Sequence, residues 1–274
     1  MKILFIGDIV GFIGRETIKK ILPKLKKKYN PDLIIANAEN LAHGKGASIN
    51  TLTEMKEAGI DYFTSGNHIF SRKGFADFLD DDGLNILRPA NYPDNLPGTG
   101  EKVINISPPR LGRGEAGQKK VLLVNLIGRV FMREDFDCPF KKFNEIIKKY
   151  KTKKIDAVII DFHAEATSEK KAFGFYADGK AAAILGTHTH IQTSDEQILP
   201  LGTAYITDVG ATAAHNSVLG VDKKIVISSF LDQINYTHDF PRSGQCEFNA
   251  VLVDVDLKNK ISKNIKRIRE IINI

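Results

Sequence analysis

Short apolar runs rich in Val and Ile alternate along the chain with longer segments whose apolar residues recur at three- and four-residue intervals. That alternation of strand-like and helix-like patterns predicts an α/β fold. Strands are expected at Lys2 to Gly7, Asp32 to Asn37, Asp61 to Ser65, Asn85 to Arg88, Lys120 to Leu126, Ala157 to Phe162, Ala181 to Leu185, Thr203 to Thr207 and Asn249 to Asp254. Helices are expected at Arg15 to Tyr29, Asn50 to Ala58, Arg72 to Leu79, Phe140 to Lys151, Ser168 to Asp178 and Asp222 to Leu231. The tail has two readings. Ile261, Ile265, Ile268 and Ile272 follow helical spacing, whereas Lys266 to Ile274 equally fits a terminal strand. Pro108 to Gln118 has no apolar periodicity and reads as an exposed loop. No break in composition divides the sequence, so one domain over residues 1–274 is expected.

Charge changes this picture little. Lys and Arg number 39 against 33 Asp and Glu, a formal excess of +6. The clusters Lys24, Lys26, Lys27, Lys28 and Lys148, Lys149, Lys151, Lys153, Lys154 end amphipathic helical patterns, as solvated faces do, while the net positive field favours anionic substrates. Cys138 and Cys246 stand far apart, which excludes a disulfide framework and a zinc knuckle and points to a reducing compartment. The apolar stretch Ile3 to Ile6 is cut short by Gly7-Asp8, and no run approaches membrane-spanning length. A cytoplasmic protein without a membrane partner is expected.

The chemistry lies at the ends of the predicted strands. In Gly186-Thr187-His188-Thr189-His190 two imidazoles one residue apart follow an apolar run, and extended chain would aim both at a spot about 6 to 7 Å across. Asp8 follows the first strand, Glu39 and Asn40 the second, Asn67 and His68 the third, and His163 a later one. In parallel sheets such carboxyl ends share one edge, where ligands bind. Singly, each of these residues has an ordinary role as a helix cap, a turn residue or a core imidazole. Together they supply carboxylate, amide and imidazole donors without thiolate, a set suited to iron, manganese or zinc. The donors are too many for one catalytic ion with an open position, so two ions are expected, with a bridging carboxylate and a bridging water that deprotonates near neutral pH. Such a cluster keeps a net positive charge, which a phosphodiester anion would balance.

Two glycine patterns carry less. Gly7, Gly11 and Gly14 lack the dinucleotide-binding spacing, and His43-Gly44-Lys45-Gly46 lacks the Walker spacing, so His43 is retained only as a substrate-contact candidate.

Gly7-Asp8, Gly66-Asn67-His68, His163 and Gly186-Thr187-His188-Thr189-His190 resemble, in order, the motifs of the calcineurin-like binuclear metallophosphoesterases. Two departures stand out: Val10 occupies the place of a ligand His in the usual first motif, and Ala38-Glu39-Asn40 replaces the usual bridging Asp. With Ala42-His43-Gly44-Lys45-Gly46, Arg88-Pro89-Ala90-Asn91, Asp161 to Glu169 and Tyr205 to Gly210, they are similar to the bacterial YmdB-like branch. The resemblance implies a four-layer α/β/β/α sandwich of two mixed sheets flanked by helices. It implies one ion, often iron, on Asp8, Asn40 and His190, a second on Asn67, His163 and His188, and Glu39 between them. It further implies a phosphodiesterase acting on cyclic nucleotides, 2′,3′-cyclic ones first, with an association with RNA turnover and a homo-oligomeric state. His68 would then protonate the leaving oxygen as a bridging hydroxide attacks phosphorus. The rival readings are a phosphomonoesterase and a regulatory RNA- or nucleotide-binding protein with a residual metal site.

Overall fold

The computed structural model describes residues 1–106 and 118–274; of the expected loop from Pro108 to Gln118, all but Gln118 lies outside the described residues. The first half of the chain forms β1 (Lys2–Ile6), β2 (Asp8–Ile9), α1 (Gly11–Tyr29), β3 (Leu33–Asn37), α2 (Ile49–Ala58), β4 (Tyr62–Thr64), β5 (Glu101–Ile106), β6 (Lys119–Ile127) and α3 (Pro139–Tyr150). The second half forms β7 (Ala157–His163), α4 (Thr167–Ala177), β8 (Ala183–Thr187), β9 (Gln197–Ile198), β10 (Ala204–Ile206), β11 (Ala211–Ala214), β12 (Ser217–Val218), β13 (Val221–Asp222), α5 (Lys223–Asp232), β14 (Gln245–Asp256) and β15 (Ile261–Asn273).

Two mixed sheets result. One runs β2-β11-β14-β1-β3-β4, with β15 along the second edge of β14; the other runs β5-β6-β7-β8-β10-β9. β1, β3 and β4 are parallel, as are β6, β7, β8 and β10, so their carboxyl ends lie on common edges. Alternation along each strand builds the layers. Ile3 and Phe5 of β1, Leu33 and Ile35 of β3, and Leu123, Ile159, Leu185 and Ile206 of the second sheet fill the space between the sheets. Leu4, Ile6 and Ile34 turn the other way, onto Ile18, Leu22 and Leu25 of α1 and Leu52 and Met55 of α2. Leu122, Val124 and Ile160 of the second sheet meet Phe143 and Ile146 of α3 and Phe173 and Ala177 of α4. The expected α/β/β/α sandwich is the observed one. Covered on both faces, β1, β3, β6, β7 and β8 read as nearly unbroken apolar runs.

Several local expectations are corrected. Asn85 to Arg88 keeps only an isolated bridge between Ile86 and Phe63, and Arg72 to Leu79 contains a single 3-10 turn at Ala76–Phe78. Of the two readings of the tail, the strand is the observed one. Ile265 faces the inter-sheet core while Ile268 and Ile272 face the α1 side, so apolar positions divided between two faces imitate a helical period. β5 and β11 were not expected; β11 is Ala-Thr-Ala-Ala, and alanine carries little strand preference. The lysine clusters at the ends of α1 and α3 are exposed, as anticipated.

Candidate metal centre

The sandwich brings the strand-end residues to one edge from both sheets. Asp8 lies in β2, Glu39 and Asn40 follow β3, and Asn67 and His68 follow β4; His163 ends β7, and His188 and His190 follow β8. Asp8, Glu39, Asn40 and His163 are buried, while Asn67, His68, His188 and His190 keep partial access to solvent.

Two clusters form. In the first, His163 Nε2 lies 3.2 Å from Glu39 Oε2 and 3.0 Å from His188 Nδ1. Glu39 Oε1 accepts the His68 backbone N–H at 3.2 Å. Glu39, His163 and His188 each offer a ligand atom, all within 4.8 Å of one another. In the second, the Asn40 amide group lies 3.3 Å from Asp8 Oδ1 and 3.2 Å from His190 Nε2, and His190 Nε2 is 3.8 Å from Asp8 Oδ1. The clusters are joined by the His188 backbone N–H, which donates to Asp8 Oδ2 at 3.2 Å.

These residues fit a cation. Among the described residues, Glu39 Oε2 and Asn67 Oδ1 are buried oxygens that accept no hydrogen bond, Glu39 Oε2 facing the His163 ring, and such oxygens are unfavourable unless a positive group faces them. Val10, in the position of the missing first-motif His, is packed with Ala211 and Ala213 and supplies no donor. The Asn40 amide lies beside Asp8 instead, as the paired departures from the usual motif require. His43 stands apart: it is exposed, has φ 54°, and among the described residues no hydrogen bond or ion pair ties it to either cluster.

Packing and electrostatics orient the rings. Thr187 Oγ1 donates to Asp161 Oδ1 at 2.7 Å and so accepts from His163 Nδ1 at 2.9 Å, which turns His163 Nε2 toward Glu39. Asp161 does not touch an imidazole; it acts through Thr187, and it also accepts from Asn37 at 3.0 Å and from the Thr64 hydroxyl. His188 Nε2 lies 3.1 Å from Glu165 Oε2, and His190 Nδ1 lies 3.1 Å from the Leu219 carbonyl. Thr187 and Glu165 escaped the sequence reading, although both lie within the quoted motifs.

Burial pushes Asp8 above the usual carboxylate range against the pull of His190 and His163. Burial also pushes Glu39 upward, but His163, with His68 and His188, outweighs it and leaves the carboxyl below its ordinary value. For His163 the desolvation of a buried ring is overcome by Glu39 and Asp8, raising it to about 9. His188 is lowered to about 3 by burial and by its neighbour His163. Asp161 is raised to about 6 by burial, tempered by His163 and its three hydrogen-bond donors. Burial lowers His68, with Glu39 opposing.

A four-layered α/β/β/α sandwich with carboxylate, amide and imidazole donors gathered at the strand ends of both sheets defines the metallophosphoesterase-fold class. A family model described as "YmdB-like protein" matches residues 4–268, and the chain belongs to that family. It is 42% identical over 268 residues to the 2′,3′-cyclic-nucleotide 2′-phosphodiesterase of Bacillus subtilis, spanning 98% of this chain and 96% of that protein. A crystal structure of a novel phosphatase from Mycoplasma pneumoniae superposes with a TM-score of 0.89 at 36% identity, covering 100% of this chain and 94% of that one. A hypothetical protein from Thermus thermophilus superposes with a TM-score of 0.87 at 34% identity, covering 99% of both chains.

Proposed function

We propose that this chain is a metal-dependent phosphodiesterase that opens 2′,3′-cyclic nucleotides at the 2′ ester, leaving a free 2′-hydroxyl and a 3′-phosphomonoester. The carrying observation is the buried Glu39 Oε2, which among the described residues accepts no hydrogen bond and faces His163 Nε2 at 3.2 Å, with the His188 ring beside it. Asp8, Asn40 and His190 would hold one ion and Asn67, His163 and His188 the other, with Glu39 shared. A half-turn of the Asn40 amide presents its oxygen in place of the nitrogen. The donors suit iron, with manganese and zinc as the alternatives. Bound there, the ions supply electrophilic pull on the phosphoryl oxygens and ease the deprotonation of a water.

The chain's own residues do the rest. His68 is tethered by its backbone N–H to Glu39 and keeps part of its ring open to solvent, so it is placed to protonate the departing 2′ oxygen without being a ligand. A 2′,3′-cyclic phosphate is what remains when a ribose 2′-hydroxyl displaces the next nucleotide of an RNA strand. The reading therefore puts the chain downstream of RNA breakdown.

Elemental analysis of freshly purified protein, paired with hydrolysis of 2′,3′- and 3′,5′-cyclic nucleotides and a phosphomonoester, tests this function. About two ions per chain with diester turnover are expected. Saturable nucleotide binding by the metal-replete chain without turnover would instead favour the regulatory reading. In the same assay His68→Ala should lower kcat by about 10²- to 10³-fold at unchanged metal content. Loss of both metals in that variant would remove the role given to His68.

The partner inferred for the chain is a second copy of itself. α5 buries none of its residues, and Ile227, Phe230, Leu231, Ile234 and Tyr236 leave 52, 82, 78, 55 and 40% of their surfaces open. At roughly 200 Å² per large apolar residue, this is on the order of 600 Å², close to the roughly 800 Å² each partner contributes to a standard interface. Lys223 and Lys224 begin the helix and Asp232 ends it, so two antiparallel copies place unlike charges opposite each other. Light scattering should report an oligomer for the native chain and a monomer for Phe230→Asp; an unchanged mass in the variant would exclude this face.

A further inference from the structure

Beneath the loop after β8 lies an ion pair removed from water. Lys170 of α4 and Asp208 have side chains 1% and 0% exposed and meet at 2.7 Å. Lys170 Nζ also donates to the Thr187 carbonyl at 2.8 Å. Asp208 Oδ2 further accepts the Thr189 backbone N–H at 3.0 Å and the Thr189 hydroxyl at 2.8 Å, and Asp208 Oδ1 accepts the Gly210 N–H at 2.8 Å. The pair therefore grips the backbone on both sides of His188.

What lies between those grips is strained. His188 has φ 101°, in the left-handed region that residues with a Cβ avoid, and such a conformation persists only where its surroundings over-determine it. Thr187 ties the same grip to the other ring of the first cluster, because its hydroxyl fixes His163 Nδ1. His190, with φ 65°, follows the gripped Thr189 but has further supports of its own: the Ala211 N–H donates to its carbonyl at 3.0 Å, and the Leu219 carbonyl meets its ring. Core stability does not account for the ion pair, since well-packed apolar residues of the same volume generally hold an interior at least as well.

We propose that Lys170, with Asp208, is a positioning residue: it forces the left-handed turn at His188 and so sets the His163 and His188 rings around one ion, leaving the ion on Asp8, Asn40 and His190 to other supports. This rests on the two-ion reading above. Lys170 touches neither substrate nor metal.

Titration of metal-free protein with Mn²⁺, followed by electron paramagnetic resonance, tests it without reference to turnover. Lys170→Met alone strands a buried carboxylate, so the decisive variant is Lys170→Met/Asp208→Asn, which removes both charges together. With far-UV circular dichroism confirming the native fold, one of the two Mn²⁺ sites should weaken by about 10- to 100-fold and the other should keep its affinity. Thr189→Val removes a single Asp208 contact and should give the same one-site selectivity at smaller amplitude, which keeps the test open if the double variant does not fold. Wild-type affinity at both sites in the folded variants, or equal weakening of both, would overturn the proposal. A wild-type chain that binds no Mn²⁺ would instead overturn the metal-centre reading itself.

Discussion

Glutamine in place of Glu39 is expected to lower cyclic-nucleotide turnover by about a thousandfold, with at least one metal ion lost per chain. The substitution keeps the shape of the side chain and removes its charge. In the native chain one carboxylate oxygen is occupied by the His68 N–H and the other faces His163 Nε2 at 3.2 Å without a hydrogen bond. On the proposed two-ion reading, an amide removes the anion that Glu39 would share between the ions. Electrophilic stabilisation by bound ions is worth several kcal/mol, and about 4 kcal/mol corresponds to a factor of about 10³ in rate. Steady-state kinetics with elemental analysis on the same preparation checks the expectation. A Glu39→Gln chain holding its full metal complement and working at the native rate would rule out the shared-ligand role.

The second large effect comes from a residue with no functional group. A Cβ built on Gly66 would enter the space of Glu39 Oε2 and of the His163 ring, so glycine here is the absence that lets these two side chains approach. Gly66→Ala should lower turnover by about 10²-fold or more, because a displacement of about 1 Å at a catalytic constellation has that consequence. It should also destabilise the fold by about 1 to 3 kcal/mol, as overpacking of a filled interior does. Thermal melts and metal analysis separate the two contributions. If Gly66→Ala retained native activity and metal content, the tight contact between Glu39 and His163 would have no part in the site.

The layers were legible because β1, β3, β6, β7 and β8 are covered on both faces, and their continuous apolar runs announce it. The site was legible for a related reason: a parallel sheet puts strand ends on one edge, so Asp8, Glu39, Asn67, His163 and His188 could be gathered without knowing any side-chain contact. The missed elements, and the open reading of the tail, arise where the pattern is ambiguous. The isoleucines of β15 serve two faces, and β11 consists of small residues whose placement depends on β2 and β14. Lys170 and Thr187 were hidden differently, and Asp208 is marked in the sequence only as a carboxylate at a strand end. Their roles exist only once α4 is laid against the ends of β8 and β10, and nothing in the spacing of Lys170 and Asp208 marks them as partners.

Asp161 stands on β7 of one sheet and receives Asn37 and Thr64, the last residues of β3 and β4 in the other; Asn37 also reaches Thr187 at 3.4 Å. These three buried hydrogen bonds rivet the two layers at the margin where the candidate metal-binding residues gather. Sliding or parting of one sheet against the other must break them before it can alter the spacing of the rings. On the proposed reading, an ion seated there would be held in a corner that the two sheets clamp together rather than in a cleft between them.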